Sequence, residues 1–217
     1  MALQNLPVVL CFDRAGLVGE DGATHHGMFD LAAYRAIPNC VVTAPADGAE
    51  LKNLMFSALK YEGGPYIIRY PRGGAEETPW RDAGFEELPL GQAVEVCKGS
   101  EVAVIAIGPS VHAALRAAEA CKGKVGVYNF RFLKPLDTEM LDRIAKTYKK
   151  IITVEDGALK GGLYGAVCEY LADKAPGVPV TGIGAPDKFI EHDSQAAQRR
   201  ECGIDAEGIS KKITEIL

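Results

Sequence analysis

Residues 6–27 read LPVVLCFDRAGLVGEDGATHHG, and this stretch contains the strongest signal for the fold. An apolar run from Leu6 to Phe12, bounded by polar residues, predicts a buried strand. A loop with four glycines and many ionisable side chains follows it directly. A strand that leads into such a loop is typical of a binding site at the carboxyl edge of an α/β sheet. Glycine spacing alone leaves a second interpretation open, a solvated surface loop with chance charges.

Alternating helix and strand signals follow this loop. Helical patterns cover Met28–Ile37 and Gly48–Tyr61, and short apolar strands cover Cys40–Ala44 and Tyr66–Tyr70. Pro71 ends the last of these strands, because proline has no backbone N–H to donate. The order βαβαβ predicts parallel strands joined by right-handed crossovers.

A second alternating unit occupies the rest of the chain. Its predicted strands are Glu101–Ile107, Lys124–Asn129, Lys150–Glu155 and Val178–Ile183, and its predicted helices are Pro109–Cys121, Thr138–Thr147, Gly161–Asp173 and Asp205–Leu217. Between the units, residues 74–91 are rich in glycine, proline and acidic residues and show no period, which predicts a linker. Trp80 and Phe85 are expected to pack this linker onto a surface.

The predicted fold class is α/β, with a partial parallel sheet in residues 1–73 and a three-layer domain in residues 92–217. Three strands make a small sheet, and the chain begins almost directly on a strand. Because a parallel sheet normally has both faces and its edges covered, we expect this sequence to be a piece of a longer protein.

Composition excludes several classes of protein. The chain has 217 residues, a net charge of −5 and 47% apolar residues, which favours a globular protein without a nucleic-acid surface. No apolar stretch approaches the ~20 residues of a membrane span, and the N-terminus lacks the pattern of a secretory signal. The six cysteines form no CxxC pair, so we expect reduced, mostly buried thiols, no metal site and a cytoplasmic protein.

Six motifs resemble one enzyme family. They are DRAGLVGEDGATHHG (13–27), IPNCVVTAPAD (37–47), GGPYIIRYPRG (63–73), NFRFLKPLD (129–137), ITVEDGALKGG (152–162) and GAPDKFIEH (184–192). The pattern is similar to that of the 1-deoxy-D-xylulose-5-phosphate synthases, thiamine-diphosphate enzymes related to transketolase. The resemblance covers essentially the whole chain. It implies the second half of a pyrimidine-binding domain followed by a transketolase-type C-terminal domain.

The resemblance also implies a reaction. The family condenses pyruvate with glyceraldehyde 3-phosphate, with loss of carbon dioxide, to 1-deoxy-D-xylulose 5-phosphate in isoprenoid and thiamine precursor synthesis. The complete enzyme is a homodimer that needs thiamine diphosphate and Mg²⁺, and the cofactor supplies the carbanion chemistry. The family's diphosphate-binding domain and its activating glutamate have no match here. We therefore expect this chain alone to bind no cofactor tightly and to be inactive.

Two other functions remain open on the sequence. One is that of a β-type subunit of a two-component thiamine-diphosphate enzyme, in which a separate chain supplies the diphosphate domain. The other is that of a non-catalytic module that dimerises through its C-terminal domain.

The proton-handling candidates lie in the glycine-rich loop. His25 matches a family position at which a histidine lies in the active site, and an imidazole exchanges protons near neutral pH. Asp21, four residues earlier, is expected to accept a hydrogen bond from a hydroxyl of the acceptor sugar. The alternatives are a solvated histidine and an aspartate that binds its own loop backbone. His26 is interpreted as a neighbour of the site, whereas His112 and His192 are assigned structural or surface positions.

Two arginines are candidates for binding substrate. Arg14 and Arg72 each follow a predicted parallel strand, and the carboxyl ends of such strands face one crevice. Their planar guanidinium groups match the oxygens of a phosphate, so we predict that together they bind the phosphate of the acceptor. The alternative for Arg14 is a surface ion pair with a nearby acid. Arg69, within a strand, is expected to have a structural partner.

Overall fold

A computed structural model describes residues 1–73 and 83–217 of the chain. The strands are β1 (Val9–Phe12), β2 (Val41–Thr43), β3 (Tyr66–Arg69), β4 (Val94–Cys97), β5 (Val102–Ile107), β6 (Val125–Asn129), β7 (Phe132–Lys134), β8 (Lys150–Ala158) and β9 (Val180–Ala185). The helices are α1 (Asp30–Arg35), α2 (Gly48–Lys60), α3 (Ser110–Glu119), α4 (Thr138–Thr147), α5 (Leu163–Lys174), α6 (Gln195–Cys202) and α7 (Ala206–Ile216). Short 3₁₀ turns lie at Ala2–Gln4 and Gly19–Asp21.

The described residues form two sheets. The first has the strand order β1-β3-β2-β7, and its first three strands are parallel, as the βαβαβ order predicts. The second has the order β4-β6-β5-β8-β9, with only β4 antiparallel to its neighbour. Phe12 is opposite Arg69 in the register of β1 and β3, so both strands end at the same edge. Arg14 and Arg72, which follow these two strands, therefore lie at the same edge of the sheet.

Strand β5 is the centre of the second sheet. All six of its residues are buried, which explains why its sequence, VAVIAI, is an uninterrupted apolar run rather than an alternating one. Ile105 belongs to a cluster that also contains Val42 and Ile67 of the first sheet. The two sheets therefore share one of the hydrophobic clusters of the protein. No helix of the described residues is long and apolar enough to cross a membrane.

Three elements were not predicted from the sequence: β4, β7 and α6. Strand β7 pairs antiparallel with β2, so residues 132–134 extend the first sheet although they come from the second unit of the sequence. The domain limits 1–73, 74–91 and 92–217 remain predictions. Trp80 lies outside the described residues, whereas Phe85 stacks on Phe56 with ring centroids 5.3 Å apart.

Two expectations about burial were wrong. The strand predicted as buried over Leu6–Phe12 is shorter, and its Cys11 is exposed, because β1 lies at the edge of the described sheet with β3 as its sole neighbour there. The cysteines were expected to be mostly buried, but only Cys40 is. None of the six cysteines forms a disulfide with another described residue.

Candidate active site

The glycine-rich loop lies at the carboxyl edge of β1 and β3. Ala15 N donates to Tyr70 O at 3.0 Å, and Gly27 N donates to Arg14 O at 3.1 Å. These bonds close the loop at its base, next to the ends of both strands. A Cβ at Gly27 would lie 2.5 Å from Arg14 O, so the two ends of the loop approach this closely only with glycine there. The closed loop presents residues 18–26 above the sheet edge.

Arg72 and Asp21 form an ion pair at this edge. Arg72 Nη1 lies 3.3 Å from Asp21 Oδ2 and donates to Val18 O at 2.9 Å. Both side chains remain partly exposed, at 45% for Arg72 and 31% for Asp21. The structure thus brings together two predicted site residues that are 51 positions apart in the sequence (72 minus 21). The pair leaves part of the guanidinium group accessible to an anion from solvent.

Arg14 adopts an unusual backbone conformation. Its φ of 56° lies in the left-handed region, which costs a residue with a Cβ about 1 kcal/mol. The side chain is exposed and forms no hydrogen bond or ion pair within residues 1–73 and 83–217. The surface ion pairs with Asp13 or Glu20 that the sequence left open are therefore not formed. Strained backbone at an exposed charged residue is frequent at functional sites.

The two loop histidines have different surroundings. His25 is exposed, and its Nδ1 lies 2.9 Å from Thr24 Oγ1. His26 accepts from Val18 N through Nδ1 and contacts Ile190 O through Nε2, both at 3.1 Å. Since a backbone N–H needs an acceptor and a carbonyl needs a donor, Nδ1 of His26 accepts and Nε2 donates. His26 therefore stabilises the loop, while His25 has an exposed imidazole edge.

The remaining two histidines lie outside the glycine-rich loop. His112 Nε2 lies 3.6 Å from Asp47 Oδ2, at the start of α2. His192 is exposed beside Gly22. These positions agree with the structural and surface assignments made from the sequence.

A buried charge cluster lies beneath the loop. Arg69 is 2% exposed, and it donates to Asp30 Oδ2 and Asp156 O, each at 2.8 Å. It also donates to Gly27 O at 3.2 Å. The structural partner expected for Arg69 is thus confirmed. Because Asp156 lies near the end of β8, this arginine connects the base of the loop to the second sheet.

Two adjacent carboxyl groups of β8 complete the cluster. Asp156 Oδ1 accepts from Leu17 N at 3.1 Å, and Arg199 Nη2 lies 3.7 Å from Asp156 Oδ2. Glu155 accepts from Leu163 N and Tyr164 N, at 2.8 and 2.9 Å, and so stabilises the start of α5. Burial raises the pKa of Glu155 to about 7, and burial likewise raises the pKa of Asp156.

The raised pKa of Glu155 predicts a pH-dependent stability. The folded protein binds this proton more tightly than the unfolded chain, whose glutamate titrates near 4.5. The contribution to stability is therefore complete below pH ~4.5 and is lost as the pH rises through 7, by up to about 3 kcal/mol. We expect the stability of the wild type relative to Glu155→Gln to fall between about pH 5 and pH 8. Urea unfolding at several pH values measures this, and a pH-independent difference would contradict the assignment.

Helix α6 contacts the loop and was missed from the sequence. Gln195 and Gln198 of this helix hydrogen-bond to backbone atoms of the loop. Ser194 caps the helix by accepting from Ala197 N, and Gly203 ends it with a left-handed φ of 67°. Ser and Gly at these positions are the standard helix boundary signals, and they would have located the helix.

The described part of the chain contains no cluster of side chains that would bind a metal ion by themselves. No group of three or more His, Cys, Asp or Glu side chains is arranged there to hold a metal ion. We therefore assign no residue of 1–73 and 83–217 to a metal ion or to the cofactor.

Comparison with known proteins identifies the class. Residues 1–76 match the family model described as "Transketolase, pyrimidine binding domain", and residues 91–209 match "Transketolase, C-terminal domain". The chain belongs to the transketolase family. This agrees with the parallel strands of the first sheet and with the mixed second sheet, and it confirms the predicted fold class.

Within this family, the chain is similar to enzymes of one kind. The chain is 46% identical to the 1-deoxy-D-xylulose-5-phosphate synthase of Bacteroides fragilis, over 99% of this chain and 34% of that protein. It is also 46% identical to the enzyme of the same name from Aquifex aeolicus, over 100% of this chain and 35% of that protein. The sequence resemblance to these synthases is confirmed, and the chain spans about a third of their length.

A solved structure with the same fold gives a second comparison. It is described as "Split gene transketolase, inactive beta4 tetramer", with a TM-score of 0.83 and 30% sequence identity. The match covers 96% of this chain and 66% of that one. None of these comparisons assigns roles to individual residues, so His25, Asp21, Arg14 and Arg72 remain predicted site residues.

Proposed function

We propose that this chain forms the acceptor side of the active site of a 1-deoxy-D-xylulose-5-phosphate synthase. The complete enzyme would condense pyruvate with glyceraldehyde 3-phosphate, with loss of carbon dioxide, using thiamine diphosphate and Mg²⁺. It would be a homodimer, as the family resemblance implies. The six free thiols favour a location in the cytoplasm.

One observation supports this proposal above all others. The chain is 46% identical to the Bacteroides fragilis synthase over 99% of its length. The matched region therefore contains both the loop and the second sheet. The loop geometry agrees with an acceptor site, because Arg14, Asp21 and Arg72 all lie at the same sheet edge. The exposed imidazole of His25 belongs to the same loop.

Each predicted residue has a distinct part in the proposed reaction. Arg14 and Arg72 bind the phosphate of glyceraldehyde 3-phosphate through charge-assisted hydrogen bonds. Asp21, already beside Arg72, accepts from a hydroxyl of the same substrate. His25 keeps Nδ1 beside Thr24, which leaves Nε2 to exchange a proton with a substrate oxygen. The thiamine cofactor, whose diphosphate would be bound by parts of the enzyme beyond this chain, would supply the carbanion chemistry.

A chimeric enzyme tests the proposal. In it, this chain replaces the matching third of the Bacteroides fragilis synthase. We expect the chimera to form 1-deoxy-D-xylulose 5-phosphate from pyruvate and glyceraldehyde 3-phosphate. The proposal fails if the chimera folds and binds thiamine diphosphate but forms no product. It also fails if the chimera uses a ketose phosphate rather than pyruvate as donor, since that would indicate a transketolase.

The isolated chain should bind the cofactor weakly. It spans about a third of its curated relatives, and the proposal assigns the diphosphate and Mg²⁺ sites to the other two thirds. We therefore expect no binding at micromolar concentrations and no turnover of pyruvate. Calorimetric titration with thiamine diphosphate and Mg²⁺ measures this. Micromolar affinity of the isolated chain would show that the proposed division of the cofactor site is wrong.

A β-type subunit of a two-component enzyme is the second candidate. The similarity to the split gene transketolase, at a TM-score of 0.83, favours it. In this case a separate chain would supply the diphosphate domain. Purification of the native protein distinguishes the two candidates, because a separate cofactor-binding chain would copurify with it in equal amounts.

A further inference from the structure

Gln198 is fully buried and forms three hydrogen bonds. Its Oε1 accepts from Gly19 N at 2.8 Å, and its Nε2 donates to Gly19 O at 2.9 Å and to Glu191 O at 2.8 Å. The side-chain amide thus pairs with both backbone polar atoms of Gly19, as a neighbouring strand would. The two carbonyl contacts need a donor and the N–H contact needs an acceptor, which fixes the orientation of the amide.

Gly19 begins the 3₁₀ turn that ends at Asp21. Holding both backbone atoms of Gly19 therefore determines where this turn starts and where the Asp21 carboxylate lies. The two residues that meet, Gly19 and Gln198, are 179 positions apart. The position of Asp21 thus depends on a helix from the opposite end of the chain.

Gln195, three residues earlier on the same helix, contacts the backbone of Arg72, the partner of Asp21 in the ion pair. Its Nε2 donates to Leu17 O at 2.8 Å and to Arg72 O at 3.2 Å. This side chain bridges the loop and the segment that follows β3. It therefore fixes the distance between the backbone of the loop and the backbone of Arg72.

We infer that Gln195 and Gln198 are positioning residues for acceptor recognition, and that α6 sets the geometry of the Arg72–Asp21 pair without contacting substrate. This inference rests on the proposed function. Glutamine suits the role because one side-chain amide satisfies a backbone N–H and carbonyl groups together, without introducing a charge beneath an anion site. An aliphatic residue would leave buried backbone groups unpaired.

The first test is independent of activity. Gln198→Met has a similar size but lacks all three hydrogen bonds. We expect amide hydrogen exchange over residues 17–22 to accelerate by roughly 10- to 100-fold, while exchange in β5 changes far less. Unchanged exchange in the loop would overturn the inference, whatever the activity of the enzyme.

The second test measures acceptor use in the chimeric enzyme described above. Gln198→Met should raise the KM for glyceraldehyde 3-phosphate by roughly 10-fold or more and leave the KM for pyruvate within about twofold. Ser194→Ala is the matched control, because it removes the side-chain cap of the same helix, which bonds to Ala197 N. Ser194→Ala should weaken the helix without raising the KM for glyceraldehyde 3-phosphate more than the KM for pyruvate.

The outcomes distinguish the inference from the function on which it rests. If both KM values rise equally, or if Ser194→Ala gives the same separation, α6 has only a general structural role and the inference is wrong. If the wild-type chimera forms no product but the loop amides respond to Gln198→Met, the proposed function fails. In that case Gln198 still orders the loop.

Discussion

Arg72→Ala should weaken the use of glyceraldehyde 3-phosphate by on the order of 10- to 150-fold and leave pyruvate binding nearly unchanged. This range follows from the loss of a charge-assisted hydrogen bond, worth roughly 1.5–3 kcal/mol. A net charge of −5 means that the protein as a whole does not attract a phosphate, so local arginines must do so. Steady-state kinetics of the chimeric enzyme, with each substrate varied in turn, measures the effect.

Asp21→Asn is the control for this prediction. Arg72 also binds Asp21 and Val18 O, so its removal both deletes a cation and releases part of the loop. Asp21→Asn keeps the arginine and removes the negative charge beside it. If Arg72→Ala acts through lost phosphate binding, Asp21→Asn will have the smaller effect on the acceptor constant. Equal losses would contradict the prediction, because the Arg72–Asp21 contact or the acceptor contact of Asp21, and not phosphate binding by Arg72, would then limit acceptor use.

Gly16→Ala should destabilise the protein by about 3 kcal/mol or more, which lowers the melting temperature by roughly 6–12 °C. Gly16 has a φ of +72°, a conformation that is strained for any residue with a Cβ. A Cβ at this position would lie 2.3 Å from Cγ of Asp156. The buried carboxyl group would have to move away, and its hydrogen bond with Leu17 N would be lost. Thermal unfolding followed by circular dichroism measures the change.

Two other glycines serve as controls that separate backbone strain from the clash with Asp156. Gly123 has a similar φ of +78°, but a Cβ there would have no neighbouring atom within 4 Å, so Gly123→Ala should cost about 1 kcal/mol from backbone strain alone. Gly177 has neither a positive φ nor a close neighbour, and Gly177→Ala should be nearly neutral. If Gly16→Ala were no worse than Gly123→Ala, the close approach of Asp156 to the loop would not contribute to stability.

Much of the fold was predictable from local pattern. The apolar run of β5 and the bounds of α4 at Thr138–Thr147 follow from periodicity and capping, because neighbouring residues determine them. Strand β7 has only three residues and pairs with a strand about 90 positions earlier, so no local pattern identifies it. Helix α6, QAAQRREC, has few apolar residues, so it shows no helical periodicity, and only its cap residues Ser194 and Gly203 indicate a helix.

The sequence predicts which residues belong to the candidate site, but it does not predict the contacts that hold the loop in place. Glycine content and strand ends pointed to the loop, and Arg69 was expected to have a partner because it lies within a strand. By contrast, the bonds from Leu17 to Asp156 and from Gly19 to Gln198 join residues 139 and 179 positions apart. Contacts at such separations depend on how the two sheets pack. The sequence spacing gives no indication of them.

The most direct test of the proposed acceptor site compares glyceraldehyde 3-phosphate with unphosphorylated glyceraldehyde as acceptor. It uses the chimeric enzyme with Arg14→Ala, Arg72→Ala and both changes together. If both arginines bind one phosphate, each variant will lose most of the preference for the phosphorylated acceptor, and the double variant will lose less than the sum of the two in free energy. A preference that survives in the double variant would contradict the proposed site.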